Sequence, residues 1–134
     1  NSLGPIIMVI DDDKEIRNLL SLMLKNAGYN LITATNGSDA LEYLKKSPLP
    51  ALILTDYSMP QLNGYEFTEK IAAHSQYKDI PVVILTGSEI DDLELPSSSN
   101  FKGIIHKPFR LNTVLEIVKL LTSEPKKCPA AYRI

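Results

Sequence analysis

The 134-residue sequence has little of several features that would assign a protein class at once. It contains one cysteine, Cys128, and no tryptophan. A single cysteine cannot form an intrachain disulfide, so a disulfide-stapled fold is excluded and a reducing, cytoplasmic location is expected. No apolar run approaches the roughly 20 residues of a membrane span, and we find no signal peptide pattern. The net charge of −2 provides no strong basic surface for direct nucleic-acid binding.

The length and composition are those of one globular domain. A hydrophobic fraction of 44% is ordinary for a folded protein of this size. We predict the domain over residues 6–123, with terminal segments at 1–5 and 124–134. The second terminal segment contains two prolines and two adjacent lysines, which favours a frayed terminus or the start of a linker.

Short apolar runs alternate with longer segments of helical periodicity. The predicted strands are 6–10, 31–35, 51–55, 81–86 and 103–106, and the predicted helices are 14–27, 38–47, 64–74 and 111–121. Asp13 is expected to cap the first helix and Gly28 to end it. Five strands alternating with about five helices predict an α/β fold, a flavodoxin-like doubly wound domain. Its five-stranded parallel sheet would have the order 2-1-3-4-5.

The segment Gly87–Lys102 is the least regular part of the pattern. Residues 89–95 could form a short helix, which would be the fifth. Pro96 and the three serines that follow it favour a loop instead.

Polar side chains follow the ends of four predicted strands. Asp11 and Asp12 follow the first strand, Asp56 the third, Thr86 ends the fourth, and Lys107 follows the fifth. Because the carboxyl ends of parallel strands share one edge of a sheet, these five side chains should meet where ligands bind in this fold.

Three carboxylates at one edge repel one another unless they gain protons or bind a cation. Clustered oxygen ligands suit Mg²⁺. A bound Mg²⁺ together with Lys107 would neutralise incoming phosphate oxygens, an arrangement typical of phosphoryl transfer. Asp56 stands apart from the Asp11–Asp12 pair, so it is the expected nucleophile and would form an acyl phosphate.

Five motifs together resemble the receiver domain family of two-component signalling, which contains the chemotaxis response regulator. The resemblance covers about residues 6–122. The motifs are Val9–Asp13, Leu54–Pro60, Asn63–Glu66, Ile80–Gly87 and His106–Phe109.

The resemblance implies a role for each matching residue. Asp56 would accept a phosphoryl group from a sensor histidine kinase or a histidine phosphotransfer protein. Asp12 would bind Mg²⁺ directly, Asp11 largely through water, and the backbone carbonyl of Ser58 would be a further ligand. Lys107 would pair with the phosphoryl oxygens.

The resemblance also implies a signalling module that catalyses only its own phosphorylation and dephosphorylation. Thr86 would turn inward to bind the phosphate, and the Lys107–Pro108 peptide would be cis. The resulting change would regulate an output domain or a target protein, and a homodimer is a further expectation.

Two departures from the family pattern lie on the face that usually relays the signal. Ile104 stands where many receivers carry an aromatic residue, and Phe101 is near that position but out of register. The second departure is the irregular segment Gly87–Lys102. Neither departure affects the phosphorylation site.

Three alternatives explain the pattern less well. An aspartyl hydrolase needs D-x-D-x-T/V on the first strand, but Asp13 is followed by Lys14 and Glu15. A flavin carrier needs a Ser/Thr/Gly loop there, whereas three aspartates would repel a phosphate. A pseudo-receiver, which only binds, usually lacks an acidic residue or the lysine, and here all are present.

Overall fold

The computed structural model describes residues 4–123. Residues 1–3 and 124–134, which include Cys128 and the predicted linker, lie outside this part. The regular elements are β1 (Ile6–Ile10), α1 (Lys14–Asn26), β2 (Asn30–Ala34), α2 (Gly37–Lys46), β3 (Leu52–Asp56), α3 (Gly64–Ala72), β4 (Val82–Thr86), β5 (Phe101–His106) and α4 (Leu111–Thr122). Within the described part, none of the helices has the length and hydropathy of a membrane span.

The five strands form one parallel sheet in the order β2-β1-β3-β4-β5, which confirms the predicted topology. Helices cover both faces. Phe67 and Ile71 of α3 pack with residues of α2 on one face, and Leu20 of α1 packs with Val114 and Val118 of α4 on the other. Because both faces are covered, every residue of β3 and β4 is buried. This explains their continuous apolar sequences.

The predicted number of about five helices is wrong. The described residues contain four α-helices, and the expected short helix at 89–95 is only a single 3₁₀ turn at Ile90–Asp92. Two aspartates favour turns over helix interiors, and Pro96 cannot donate the backbone hydrogen bond that a continuing helix needs.

Strand β5 begins two residues earlier than predicted, at Phe101 instead of Gly103. Val82 pairs with Phe101 but Val83 pairs with Gly103, so the register shifts by one residue between them. Gly103 has a φ of +149°, a conformation that side-chain-bearing residues rarely adopt. A bulge at this glycine therefore brings Phe101 into the sheet, which a simple alternation pattern does not reveal. The remaining boundaries agree with prediction to within two residues.

Helix α1 begins and ends as predicted. The Asp13 carboxylate accepts hydrogen bonds from the backbone N–H groups of Glu15 (2.9 Å) and Ile16 (3.5 Å). Gly28, with a φ of +100°, lies just beyond the helix end. The cap starts α1 immediately after the acidic pair at the end of β1, which fixes the pair at the sheet edge.

The start of α3 lies against the end of β3. Asn63 and Glu66 form a capping box, and the Gly64 N–H donates to the Tyr57 carbonyl (2.8 Å). A Cβ at Gly64 would lie 2.9 Å from the carbonyl oxygen of Asp56 and 3.0 Å from the Cα of Tyr57. Only glycine allows this approach without displacing backbone atoms.

We therefore expect Gly64→Ala to destabilise the domain by about 1–3 kcal/mol, because the added methyl group pushes against two backbone segments. Chemical denaturation measures this change. Gly87→Ala is the matched control: a Cβ there meets nothing within 4 Å. Equal stability of the two variants would contradict the close-approach explanation.

Candidate functional site

Lys107 lies between two carboxylates at the carboxyl edge of the sheet. Its Nζ is 3.1 Å from Asp56 Oδ1 and 3.2 Å from Asp11 Oδ2. Asp11 is fully buried, and Asp56 is 7% exposed. The structure thus brings together three of the predicted site residues, at the ends of β5, β3 and β1, in one charged network.

The two carboxylates differ in how many of their oxygens are used. Asp11 Oδ1 accepts from the Asp13 N–H (2.9 Å) and Oδ2 from Lys107, so both oxygens have partners. Asp56 Oδ1 accepts from Lys107, but Oδ2 has no hydrogen-bond partner within residues 4–123. Asp56 therefore has one oxygen available to an incoming group.

The backbone holds Lys107 at this position. Its N–H donates to the Thr86 carbonyl at the end of β4 (2.7 Å). The following peptide bond, Lys107–Pro108, is cis, as predicted. Burial lowers the pKa of Lys107, but its hydrogen bond to Asp56 and the charges of Asp56 and Asp11 outweigh that effect. The net pKa is raised, so the side chain stays an ammonium.

The pKa of Asp56 is raised above the usual value for aspartate. Burial is the main cause, and the charge of Asp11 adds to it. The hydrogen bond and charge of Lys107 act in the opposite direction without cancelling it, while Asp12 raises the pKa slightly more. Burial and the neighbouring carboxylates therefore disfavour the ionised form of Asp56.

Carboxylate oxygens of Asp11, Asp12 and Asp56 lie within 4.8 Å of one another, a spacing that could hold a metal ion. Asp12 is exposed and makes no hydrogen bond within the described residues. An unpaired exposed carboxylate next to two buried ones suits a hard cation that keeps part of its water shell, such as Mg²⁺. Ser58 is exposed two residues beyond β3, and its carbonyl as a ligand stays a prediction.

Thr86 lies at the same edge but outside the charged network. It is 1% exposed, and its Oγ accepts a hydrogen bond from the Ser88 N–H (3.0 Å). No hydrogen bond joins its side chain to Asp56 or Lys107 in the described part of the chain. Its predicted inward turn would require this bond to Ser88 to change.

Sequence reasoning missed Tyr57, which directly follows Asp56. The Tyr57 hydroxyl donates to the Glu94 carbonyl (3.2 Å) and accepts from the Glu94 N–H (3.1 Å). Its partner lies 37 residues away in the irregular segment, so no local motif signals the contact. His106, which precedes Lys107 in the last motif, is exposed.

Three comparisons place the chain among known proteins. Residues 7–119 match the response regulator receiver domain family. Rice two-component response regulator ORR5 (Oryza sativa) is 34% identical over 87 residues, which is 65% of each chain. The Helicobacter pylori sensor histidine kinase CheAY is 35% identical over 116 residues, 85% of this chain and 14% of that protein. The chain thus spans less than two thirds of these relatives.

A solved structure agrees with this placement. The response regulator protein TrrA from Thermotoga maritima, in complex with Mg²⁺–BeF, is 32% identical to this chain, with a TM-score of 0.74. The alignment covers 87% of this chain and 98% of that one. Since the matched residues extend from β1 into α4 and include the whole charged edge of the sheet, the chain belongs to the response regulator receiver domain family of two-component signalling.

Proposed function

We propose that the domain accepts a phosphoryl group on Asp56 from the phosphohistidine of a sensor histidine kinase or a histidine phosphotransfer protein. The observation that supports this most is the unequal use of the two buried carboxylates. Lys107 donates to one oxygen of each carboxylate, and the second Asp56 oxygen has no partner among the described residues. One carboxylate is thus held in place and the other is ready to react.

In this reaction the free Asp56 oxygen attacks phosphorus, and the P–N bond to the donor imidazole breaks. Its electron pair returns to the imidazole, which takes a proton from water, and an acyl phosphate forms on Asp56. Hydrolysis reverses the gain: a water oxygen attacks phosphorus, the bond to Asp56 breaks, and inorganic phosphate leaves. The domain would thus catalyse only its own phosphorylation and dephosphorylation, with the phosphohistidine donor and water as the other reactants.

Asp11, Asp12 and Asp56, with the carbonyl of Ser58, would hold Mg²⁺. The bound ion would supply positive charge beside the phosphoryl oxygens, where Lys107 already supplies one. TrrA, at 32% identity, was determined with Mg²⁺–BeF, and this supports the same cofactor here. Thr86 would donate its hydroxyl to the phosphoryl group and so make its side-chain position depend on the state of Asp56.

The conformational change that follows phosphorylation of Asp56 would regulate a linked output domain or a target protein in the cytoplasm. Formation of a homodimer is one way in which the change could be passed on. ORR5 is named a response regulator and CheAY a sensor histidine kinase. Sequences similar to this domain therefore occur both in response regulators and in sensor kinases. The phosphoryl donor and the regulated partner of this domain belong to the proposal.

Intact-mass spectrometry after incubation with acetyl phosphate tests the proposal. We expect one added phosphoryl group on the wild type with Mg²⁺, none without Mg²⁺, and none on Asp56→Asn. If the wild type takes no phosphoryl group from acetyl phosphate or from a phosphohistidine donor, the domain is a pseudo-receiver that signals by binding alone.

The metal assignment predicts that Asp12→Asn weakens Mg²⁺ binding roughly tenfold or more, because the variant removes one charged ligand. Isothermal titration calorimetry measures this affinity. Asp13→Asn is the matched control, since it removes a neighbouring charge and asparagine still caps α1. Equal Mg²⁺ affinities of the two variants would contradict the assignment of Asp12 as a ligand.

The raised pKa of Asp56 predicts that Asp56→Asn stabilises the metal-free domain at neutral pH. The folded state binds this proton more tightly than the unfolded state, so ionising Asp56 costs stability above the ordinary pKa of 3.8. We expect a gain on the order of 1 kcal/mol at pH 7. Denaturation at several pH values should show the gain disappearing as the pH falls towards 3.8.

Asp79→Asn, at an exposed position, is the control for Asp56→Asn. The stabilisation should be absent from this variant at every pH. A metal-free Asp56→Asn domain less stable than wild type at pH 7 would show that Lys107 already compensates the charge of Asp56 in full.

A further inference from the structure

Residues 87–97, here called the tethered segment, lead from β4 towards β5. Their only regular structure is the 3₁₀ turn Ile90–Asp92, which has no side-chain cap. Most of the segment is exposed, and Ile90 is 47% exposed although it is apolar. A segment with few internal hydrogen bonds opens at low cost, so its position depends on the contacts that hold its backbone.

Side chains from outside the segment make these contacts at three places. Thr86 Oγ accepts from the Ser88 N–H (3.0 Å) at its start. Glu69 Oε2, in α3, accepts from the Ser97 N–H (3.2 Å) at its end. Between them, the Tyr57 hydroxyl makes the two hydrogen bonds to the backbone of Glu94.

Tyr57 is well suited to hold the segment firmly. Its N–H donates to the Leu85 carbonyl and its own carbonyl accepts from the Gly64 N–H, both at 2.8 Å. Its ring packs against the same hydrophobic cluster as Ile104. With backbone and ring fixed, the hydroxyl has a defined position, and it binds both backbone polar groups of Glu94.

Two of the three contacts start from the phosphorylation edge. Tyr57 is the residue after Asp56, and Thr86 ends the strand beside β3. If the Thr86 hydroxyl turns to donate to a phosphoryl group on Asp56, its oxygen leaves the Ser88 N–H. The tethered segment then loses its first contact, while the Tyr57 hydroxyl, Glu69 and a hydrogen bond of Tyr65 to the Glu94 side chain still hold it.

We propose that Tyr57 is a positioning residue whose hydroxyl holds the tethered segment in the closed position, the one seen in this structure. It would oppose the movement of the segment that follows when Asp56 is modified and Thr86 releases the Ser88 N–H. This rests on the proposed function. The restraining residue would be an aromatic residue directly after β3. In β5, Ile104 occupies the position at which many receivers carry an aromatic residue. Coupling between two sites is reciprocal. A variant that destabilises the closed position of the tethered segment must therefore bind more tightly any group at Asp56 that favours the open position.

The first test measures amide hydrogen exchange in the unmodified domain. Tyr57→Phe keeps the ring and removes only the hydroxyl. We expect the Glu94 amide and its neighbours in the tethered segment to exchange about five- to thirtyfold faster, as for loss of one or two net hydrogen bonds. Tyr29→Phe is the matched control, because its hydroxyl also makes a tertiary hydrogen bond, to Thr122 (3.1 Å), on a different element.

The second test measures binding of Mg²⁺–beryllofluoride, a phosphoryl mimic, by titration of each variant. We expect beryllofluoride to increase exchange at Ser88 in the wild type, and to bind Tyr57→Phe a few-fold more tightly than wild type or Tyr29→Phe. A merely structural role of Tyr57 would alter exchange without altering this affinity.

The outcomes separate the two proposals. Unchanged exchange at Glu94 in Tyr57→Phe, or unchanged beryllofluoride affinity, would overturn the role of Tyr57 while leaving phosphorylation of Asp56 intact. A wild-type domain that binds no beryllofluoride and takes no phosphoryl group would overturn the proposed function, and with it the coupling. Faster exchange together with tighter binding supports both.

Discussion

The arrangement of this domain depends on one ammonium group held between two carboxylates that the fold forces together. A parallel sheet brings the carboxyl ends of its strands to one edge, so the aspartates that follow β1 and β3 must lie close. Lys107 reduces the repulsion between these carboxylates, because its ammonium group lies 3.2 Å from Asp11 and 3.1 Å from Asp56. Removing its charge would leave a fully buried Asp11 without a counter-ion, which is a costly state.

The compensation of charge at this edge is incomplete. One ammonium faces three carboxylates, so the pKa of Asp56 remains raised. A divalent cation beside Asp12 would remove the remaining repulsion, and a phosphoryl group would again change the balance of charge. Under the proposed function, signalling would consist of charge changes at this one edge of the sheet, to which the neighbouring backbone responds.

The neighbouring backbone differs greatly in how firmly it is held. β3 and β4 are buried along their whole length, whereas the tethered segment that follows β4 depends on a few side-chain contacts. A rigid edge next to a loosely held segment concentrates any response in the segment. Tyr57 belongs to both parts: its backbone is paired with β4, and its hydroxyl binds Glu94.

The sequence by itself determined the fold class, the strand order and the residues that meet at the sheet edge. Buried parallel strands have continuous apolar sequences, and polar residues follow them at the edge of the sheet. It did not determine how far β5 extends, since the bulge at Gly103 depends on pairing with β4. Nor did it show that Lys107 contacts Asp11 as well as Asp56, or that Tyr57 binds Glu94. These contacts join residues far apart in the chain, and only the packing of helices and strands decides which distant side chains come within hydrogen-bonding distance.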